Sequence, residues 1–201
     1  MTKYLGVLRE LRLVRREVPV TERAPERSRH GRYAVQDPFV RFWFRFVLPY
    51  RSLLEAGHGA TVYDQSIFPQ LNTYMGGAFE EICREYVRRY WPERLGRAPA
   101  VVGRYWGPEG DIDVITENLD GSHFLGECKW WEGPVGENVL EELQRRARTL
   151  PLRFQQEAEY LLFATGGFTM EMEQRVAMEG KVHLISVGDL LEIGPLLWPS
   201  T

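Results

Sequence analysis

Between residues 76 and 187 the hydrophobic residues change repeatedly from helical to strand periodicity, and the order of these segments leaves few folds open. Together with the Gly, Pro, Asn and Asp residues that bound them, the segments predict a helix, three strands, a helix, a strand, a helix and a strand. The predicted strands are 101–106, 111–115, 123–130, 160–164 and 182–187, and the predicted helices are 76–91, 137–150 and 170–178. Residues 118–121 are predicted to be a hairpin turn. This order predicts an α/β sheet core.

The length and composition fit either one sizeable core or a domain of about 150 residues with a small appendage. The chain has 201 residues, of which 44% are hydrophobic and 26% are charged. No apolar run approaches the roughly 20 residues that a membrane helix needs, and the first residues show no signal-peptide pattern. Cys83 and Cys128 lie 45 residues apart, a spacing typical of neither a disulfide framework nor a zinc site. We therefore expect a soluble, cytoplasmic protein that does not associate with membranes.

The charge of the chain is divided unevenly. Residues 1–36 hold nine Lys and Arg against four Glu, a balance of +5, so residues 37–201 carry −8 within the total of −3. A basic N-terminal piece in front of an acidic body is the better candidate for contact with nucleic acid. We expect Arg27, Arg29 and Arg32 to contact phosphates, which would position DNA without reading its sequence. The alternative is that this piece serves packing or dimer contacts.

Residues 1–36 have the pattern of half a winged helix. Helical spacing over 4–14 is followed by a strand over 13–20 and a return strand over 32–35. One helix with a two-stranded ribbon matches the second half of a winged helix, and the two helices of the first half have no counterpart in the pattern. The sequence therefore predicts a winged-helix remnant at the N-terminus.

Residues 37–74 are predicted to be a helical connector that leads to the sheet domain, residues 75–201. Asp37 is expected to cap the first helix of the connector, with Pro38 at the first helical position. The stretch 41–46 interleaves aromatic residues with arginines and could stack nucleobases. Ordinary helix packing is the preferred interpretation of this stretch.

Two charged residues interrupt the apolar strand 123–130. Glu127 and Lys129 are separated by one residue, so a period of 2 places both on one face. Charges in apolar surroundings are costly unless they are paired or bound to something. The preceding strand repeats the anomaly, because Asp111 and Asp113 share one predicted face. Across the hairpin, the acidic strand and the Glu-x-Lys strand are expected to meet.

The helix 76–91 adds a third carboxylate. With 100° per residue, Glu80 lies about 90° from the centre of the apolar face, whereas Glu81 lies nearly opposite and should be solvated. Carboxylates and a strand carbonyl are hard oxygen ligands that suit Mg²⁺ or Mn²⁺, and an ammonium nearby can orient a water. Each acid taken alone is more often a cap or a surface charge, and only their coincidence favours a site.

Three segments carry a resemblance to a known superfamily: Gly77-Ala78-Phe79-Glu80, Gly110-Asp111-Ile112-Asp113-Val114-Ile115 and Gly126-Glu127-Cys128-Lys129-Trp130. They resemble the core motifs of the PD-(D/E)XK nucleases. Together with residues 37–43 and 104–107, they are similar to the C-terminal nuclease-like domain that follows archaeal and bacterial AAA-type ATPases. The resemblance extends over nearly the whole chain.

This resemblance implies a restriction-endonuclease-like mixed sheet flanked by helices and a nuclease that cleaves DNA with Mg²⁺ or Mn²⁺. Asp113, Glu127 and Glu80 would then be the metal-binding acids, and Lys129 the catalytic lysine. It also implies an AAA-type ATPase module as a partner, in cis or in trans. No G-x-x-x-x-G-K-[ST] motif occurs in this sequence, so we expect no Walker-type ATP site. The chain is either a fragment of a longer protein or a shortened gene product.

Two other functions stay open beside the nuclease. The fold could be an inactive scaffold of a DNA-binding module, or an interaction domain for an AAA partner. Metal dependence separates the nuclease from both alternatives, and a homo-oligomer is compatible with all three.

Overall fold

The computed structural model describes residues 2–192, which fall into two compact units. The first unit comprises residues 2–18 and 22–78, and the second comprises residues 19–21 and 79–192. Within these described residues, no helix is both long enough and apolar enough to cross a membrane.

The first unit is mainly helical. Its elements are α1 (Thr2–Glu10), β1 (Val14–Glu17), β2 (Arg32–Val35), α2 (Pro38–Phe42), α3 (Arg51–Glu55), α4 (Gly59–Val62) and the beginning of α5 (Phe68–Arg89), with π-helical turns at Trp43–Val47 and Tyr63–Ile67 and 3-10 turns at Pro25–Arg27 and Leu48–Tyr50. The strands β1 and β2 form an antiparallel hairpin, in which Val14 lies opposite Val35 and Glu17 opposite Arg32.

The predicted N-terminal helix, hairpin and cap are confirmed. The Asp37 carboxylate caps α2 and accepts a hydrogen bond from the Val40 amide at 3.0 Å. The strand β1 is shorter than predicted, because Pro19 has no N–H and Val20 donates to the Arg104 carbonyl at 3.0 Å. The assignment of this helix and hairpin to a winged helix stays a prediction.

Aromatic rings pack together within the connector. Phe46 is fully buried, and its ring centroid lies 5.2 Å from those of Phe42 and Tyr74. The Tyr74 hydroxyl donates to the Pro38 carbonyl at 3.1 Å. Helix packing, the interpretation preferred from the sequence, therefore accounts for two of the aromatic residues of the stretch 41–46.

The prediction that a helix starts at Gly76 is wrong. The helix α5 begins at Phe68 and runs for 22 residues through Gly76 and Gly77. Each glycine costs a helix interior up to about 1 kcal/mol relative to alanine, and tertiary packing of a long helix outweighs such a cost. The apolar stripe predicted for this helix is buried in the core at Phe79, Cys83, Tyr86 and Val87, whereas Ile82 is 52% exposed and Tyr90, just beyond α5, is half-buried.

The second unit is built on a five-stranded sheet. Its further elements are α6 (Trp91–Leu95), β3 (Pro99–Gly107), β4 (Gly110–Asn118), β5 (His123–Lys129), α7 (Glu137–Ala147), a 3-10 turn (Leu152–Phe154), β6 (Ala158–Ala164), α8 (Met170–Met178), β7 (Val182–Ser186) and α9 (Val187–Leu191). The strands lie in the order β3-β4-β5-β6-β7, antiparallel from β3 to β5 and parallel from β5 to β7. The predicted turn 118–121 joins β4 to β5, with Gly121 at φ +82°.

Helices cover both faces of this sheet. On one face, Leu125 of β5 packs in a cluster with Leu140 of α7 and Met172 of α8. On the other face, Phe124 packs in a cluster with residues of α5, α6 and α9, among them Cys83. Successive residues of a strand point to opposite faces, so β5 contributes to both clusters. The prediction of a mixed α/β sheet flanked by helices is confirmed.

The strand β4 contains a β-bulge at Asp113 and Val114, where the two residues face Arg104 alone. The register pairs on either side of the bulge are Gly103 with Ile115 and Tyr105 with Ile112. As a result, Ile112 and Val114, which strict alternation would place on one face, pack in the two different core clusters. The bulge breaks the alternation on which the shared face of Asp111 and Asp113 was based.

Gly166 lies where the backbone after β6 passes close to the backbone after β5. A Cβ atom at this position would collide with the main-chain oxygens of Gly133 and Glu132. We expect Gly166→Ala to lower the free energy of unfolding by about 2 kcal/mol, as for other overpacked sites, in urea denaturation. Gly133→Ala is the matched control, because no atom lies within 4 Å of its Cβ position. Equal stability of the two variants would contradict the close approach.

Candidate active site

The predicted site residues of the second unit meet where β4 and β5 separate. The ladder between the two strands ends with Val114 opposite Gly126. Beyond this pair, the Asp113 side chain takes the place of a ladder carbonyl, because its Oδ2 accepts a hydrogen bond from the Cys128 amide at 2.9 Å. The β-bulge thus directs the Asp113 carboxylate toward the opening between β4 and β5.

The Asp113 carboxyl group is buried although the residue keeps some exposed surface. Burial first, and then the negative charges of Glu127 and Glu80, raise the pKa of Asp113 from 3.8 to about 7. The hydrogen bond from Cys128 and the charge of Lys129 act in the opposite direction. Near neutral pH this group is therefore close to the midpoint of its titration.

The Glu127 side chain lies between two cations. The residue is only 5% exposed, and its Oε1 accepts a hydrogen bond from Lys129 Nζ at 2.6 Å. Its Oε2 lies 3.0 Å from Arg146 Nη2 of α7 as an ion pair without hydrogen-bond alignment, and among the described residues nothing donates a hydrogen bond to this oxygen. Arg146 also donates to the Asp111 carbonyl. Lys129 and Arg146 thus neutralise the charge of Glu127, while its buried Oε2 accepts no hydrogen bond from the described residues.

Glu80 leans from α5 toward the sheet and is half-buried. Its Oε2 lies 3.5 Å from the guanidinium groups of both Arg84 on α5 and Arg104 on β3. Burial is the main cause that raises the pKa of Glu80, and the charge of Glu127 adds to it, although the two arginines lower it. Glu81, which was expected to be solvated, is half-buried and has an interaction partner.

The arginines of the site were missed in the sequence. Arg84 is buried, and its guanidinium donates to the Asp113 carbonyl at 2.8 Å. Its spacing of four residues from Glu80 was the one available signal, because residues i and i+4 are neighbours on a helix. Arg104 and Arg146 reach the site from distant segments, and no local pattern points to them.

The donor set fits a hard divalent cation. Among residues 2–192, no three His, Cys, Asp or Glu side chains converge closely enough to form a ready-made metal cage. Three observations nevertheless match such an ion: all acidic donors are carboxylate oxygens, the pKa values of Asp113 and Glu80 are raised, and Glu127 Oε2 has no hydrogen-bond donor. Asp113 and Glu127 are the residues that would hold it, with Glu80 beside them.

The basic residues predicted to contact DNA lie in the first unit. Arg27 ends a 3-10 turn, Arg29 lies in the loop that follows, and Arg32 begins β2. All three are exposed. Their contact with phosphates stays a prediction.

Comparison with known proteins finds partial similarities to solved structures. A repair endonuclease of Pyrococcus abyssi is 16% identical with a TM-score of 0.40, covering 53% of this chain and 45% of that one. A complex of EndoMS with double-stranded DNA is 17% identical with a TM-score of 0.39, covering 53% and 43%. A third crystal structure, of a protein of unknown function, is 20% identical with a TM-score of 0.37, covering 56% and 65%.

Sequence comparison gives a relative and a family. An uncharacterized protein of Methanocaldococcus jannaschii is 31% identical over 135 residues, which are 65% of this chain and 29% of that protein. The chain therefore spans less than a third of that relative. The family DUF234, described as archaeal and bacterial proteins of unknown function, matches residues 43–149. This match includes Glu80, Asp113, Glu127 and Lys129 and covers more than half of the sequence, so the chain belongs to the DUF234 family.

Proposed function

We propose that the second unit is a nuclease that cleaves DNA phosphodiester bonds with Mg²⁺ or Mn²⁺. The observation that carries the proposal is the Asp113 carboxyl group, whose pKa is raised to about 7 beside two further carboxylates and a lysine. Like charges that crowd together without full compensation are typical of sites that bind a cation or perform chemistry. A bound cation would favour the ionised form of Asp113 and offset the crowding.

Each side chain has a part in the proposed reaction. Asp113 and Glu127 would hold the ion, and Glu80 would add negative charge beside it. A divalent cation bound there would polarise a phosphoryl oxygen and lower the pKa of an attacking water. Lys129, held at 2.6 Å from Glu127, positions the water or stabilises the charge that develops on the phosphate. The arginines that contact Glu80 restrain that carboxylate beside the site.

A second candidate function is a DNA-binding module with an inactive nuclease fold. The observation that favours it is the pairing of Glu127 with both Lys129 and Arg146, since a carboxylate neutralised twice needs no metal for its own stability. In this alternative the carboxylates and cations are an internal ion network, and DNA contacts come from exposed arginines of the first unit.

The sequence resemblance further supports an association with an AAA-type ATPase. We include in the proposal that such a module, in cis or in trans, works with this nuclease. No contact of the described residues bears on this association, and its test is co-purification with an ATPase.

The direct test combines cleavage with metal binding. The full chain should cut labelled DNA in Mg²⁺ or Mn²⁺ and not in excess EDTA. Glu127→Gln should lower the Mn²⁺ affinity measured by calorimetry at least about 10-fold, because it removes a charged ligand. Single-stranded DNA, duplex DNA and RNA are compared in the same assay.

Asp111→Asn is the matched control for these measurements. Asp111 lies two residues before Asp113 on the same strand, is exposed, and accepts a hydrogen bond from Arg146 at its carbonyl. We expect it to keep both Mn²⁺ affinity and cleavage. Unchanged Mn²⁺ affinity in Glu127→Gln, together with no cleavage of any substrate, would reject the nuclease and leave the binding module.

A further inference from the structure

Two successive tryptophans follow the Glu-x-Lys strand, and they have different environments. The Trp130 ring lies 5.6 Å from that of Phe79 and packs against the core cluster of α5. Trp131 is 42% exposed. Core packing therefore accounts for Trp130 and leaves much of the Trp131 indole in contact with solvent.

The backbone that carries Trp131 is fixed to the neighbouring strand end. The Trp131 amide donates to Thr165 Oγ1 at 3.1 Å, and the Thr165 hydroxyl donates to the Trp131 carbonyl at 2.8 Å. The Thr165 amide donates to the Lys129 carbonyl at 3.2 Å. These hydrogen bonds to Thr165 hold residues 129–131 in place, so the backbone that presents the exposed indole is fixed to the sheet.

Lys129 connects the indole to the proposed site. Its Nζ lies 5.5 Å from the centre of the Trp131 ring, within the range of a cation–π contact. The same Nζ donates to Glu127 at 2.6 Å. One ammonium group therefore touches both the aromatic ring and the carboxylate that would hold the metal.

An exposed, oriented indole beside a cation has the properties of a nucleobase-binding surface. Bases stack on aromatic rings whatever their sequence, and the adjacent cation attracts the phosphate that carries the base. A base inside a regular duplex is already stacked on its neighbours, so it must leave the stack before it can pack on such a ring.

We propose that Trp131 stacks on an unpaired nucleobase next to the scissile phosphate, and that the substrate of this site is therefore single-stranded or locally unpaired nucleic acid. The inference rests on the proposed nuclease function and specifies its substrate. It assigns Trp131 to substrate binding and Trp130 to the core.

The test measures binding of oligonucleotides to the full chain that carries Asp113→Asn, so that the substrate is not cut. In this background, Trp131→Ala should weaken binding of single-stranded DNA about 5- to 150-fold, the range found for one stacked base. Trp131→Phe should restore most of the affinity. Binding of fully paired DNA of the same sequence should be unchanged, and single-stranded RNA of that sequence shows which sugar the site accepts.

A matched control and an abasic scan make the assignment specific. Tyr63→Ala removes an aromatic side chain of similar exposure, 45%, from the first unit and should leave binding unchanged. An abasic nucleotide placed along the strand should weaken binding at one position, and at that position Trp131→Ala should have no further effect.

The outcomes separate this inference from the proposed function. If the chain cleaves nucleic acid but Trp131→Ala weakens single-stranded and duplex binding equally, or neither, the stacking role is wrong and the nuclease stands. Preferred cleavage of regular duplex DNA would also overturn it. If the chain neither binds nor cleaves any nucleic acid, both proposals fail.

Discussion

Asp113→Asn should abolish cleavage and at the same time make the metal-free protein more stable than the wild type at pH 8. The asparagine oxygen can still accept the hydrogen bond from the Cys128 amide, so the side chain at the β-bulge keeps its contact with β5. What the variant removes is a buried negative charge beside Glu127 and Glu80. We expect a loss of cleavage of at least about 10²-fold, the scale of losing one preorganised electrostatic group.

The gain in stability has a defined pH dependence. The folded state raises the pKa of Asp113 from 3.8 to about 7, so the folded protein binds this proton more tightly than the unfolded chain does. The wild type therefore loses stability as the pH rises from about 4 to about 7 and remains at the lower level above that. Since one pKa unit corresponds to about 1.4 kcal/mol, the variant should gain on the order of 2 to 4 kcal/mol above pH 7 and little near pH 4.

Urea denaturation at several pH values in EDTA measures this difference. Asp111→Asn, on the exposed side chain two residues earlier, should show no such pH-dependent gain. Added Mn²⁺ should reduce the advantage of Asp113→Asn, because the ion stabilises only the form that binds it. A variant that is less stable than the wild type at pH 8 would show that the Asp113 carboxylate stabilises the fold.

Lys129→Met should fold with little loss of stability and lose about 10²-fold or more in cleavage. A lysine that is the sole partner of a buried carboxylate contributes about 3 kcal/mol or more, because its removal leaves an unpaired charge. Glu127 keeps the ion pair with Arg146 at 3.0 Å, so the loss in this variant should be smaller. If Lys129 stabilises the reacting phosphate, cleavage falls while Mn²⁺ binding persists.

The chain offers a matched control, because it contains only three lysines. Lys181→Met makes the same chemical change at an exposed position between α8 and β7 and should keep stability, metal affinity and cleavage. Melting temperature, Mn²⁺ affinity and cleavage are measured on both variants. If Lys129→Met is strongly destabilised but keeps its activity per folded molecule, Glu127-Cys128-Lys129 has only a structural role in the strand.

The sheet was predictable because its elements are short and clearly bounded. The helix α8 has the predicted bounds 170–178, since Thr169 supplies an N-cap that a sequence pattern reveals. The start of α5 was mispredicted because two adjacent glycines resemble a boundary, although a helix with a well-packed face tolerates them. Local propensity is a weak guide where tertiary packing decides.

The acidic residues of the site could be predicted from the sequence, but their spatial arrangement could not. The alternation of side chains along a strand identified Asp113 as a candidate, but no sequence pattern reveals the β-bulge that directs its carboxylate to the Cys128 amide. The arginines of the site could not be predicted from the sequence for a different reason. Arg104 and Arg146 are far from the acids in sequence, and the ion pairs exist only because the sheet and α7 bring them together.

The three-layer arrangement of the second unit makes any activity conditional on complete folding. Glu80 comes from the helix layer on one face, Arg146 from the layer on the other, and Asp113 from the sheet between them. Local opening of either helix layer would therefore disperse the charged groups before the sheet itself unfolds. A partly folded chain, as it exists during synthesis or after damage, would in this way lack the assembled site, and the nuclease activity that we propose would require the complete fold.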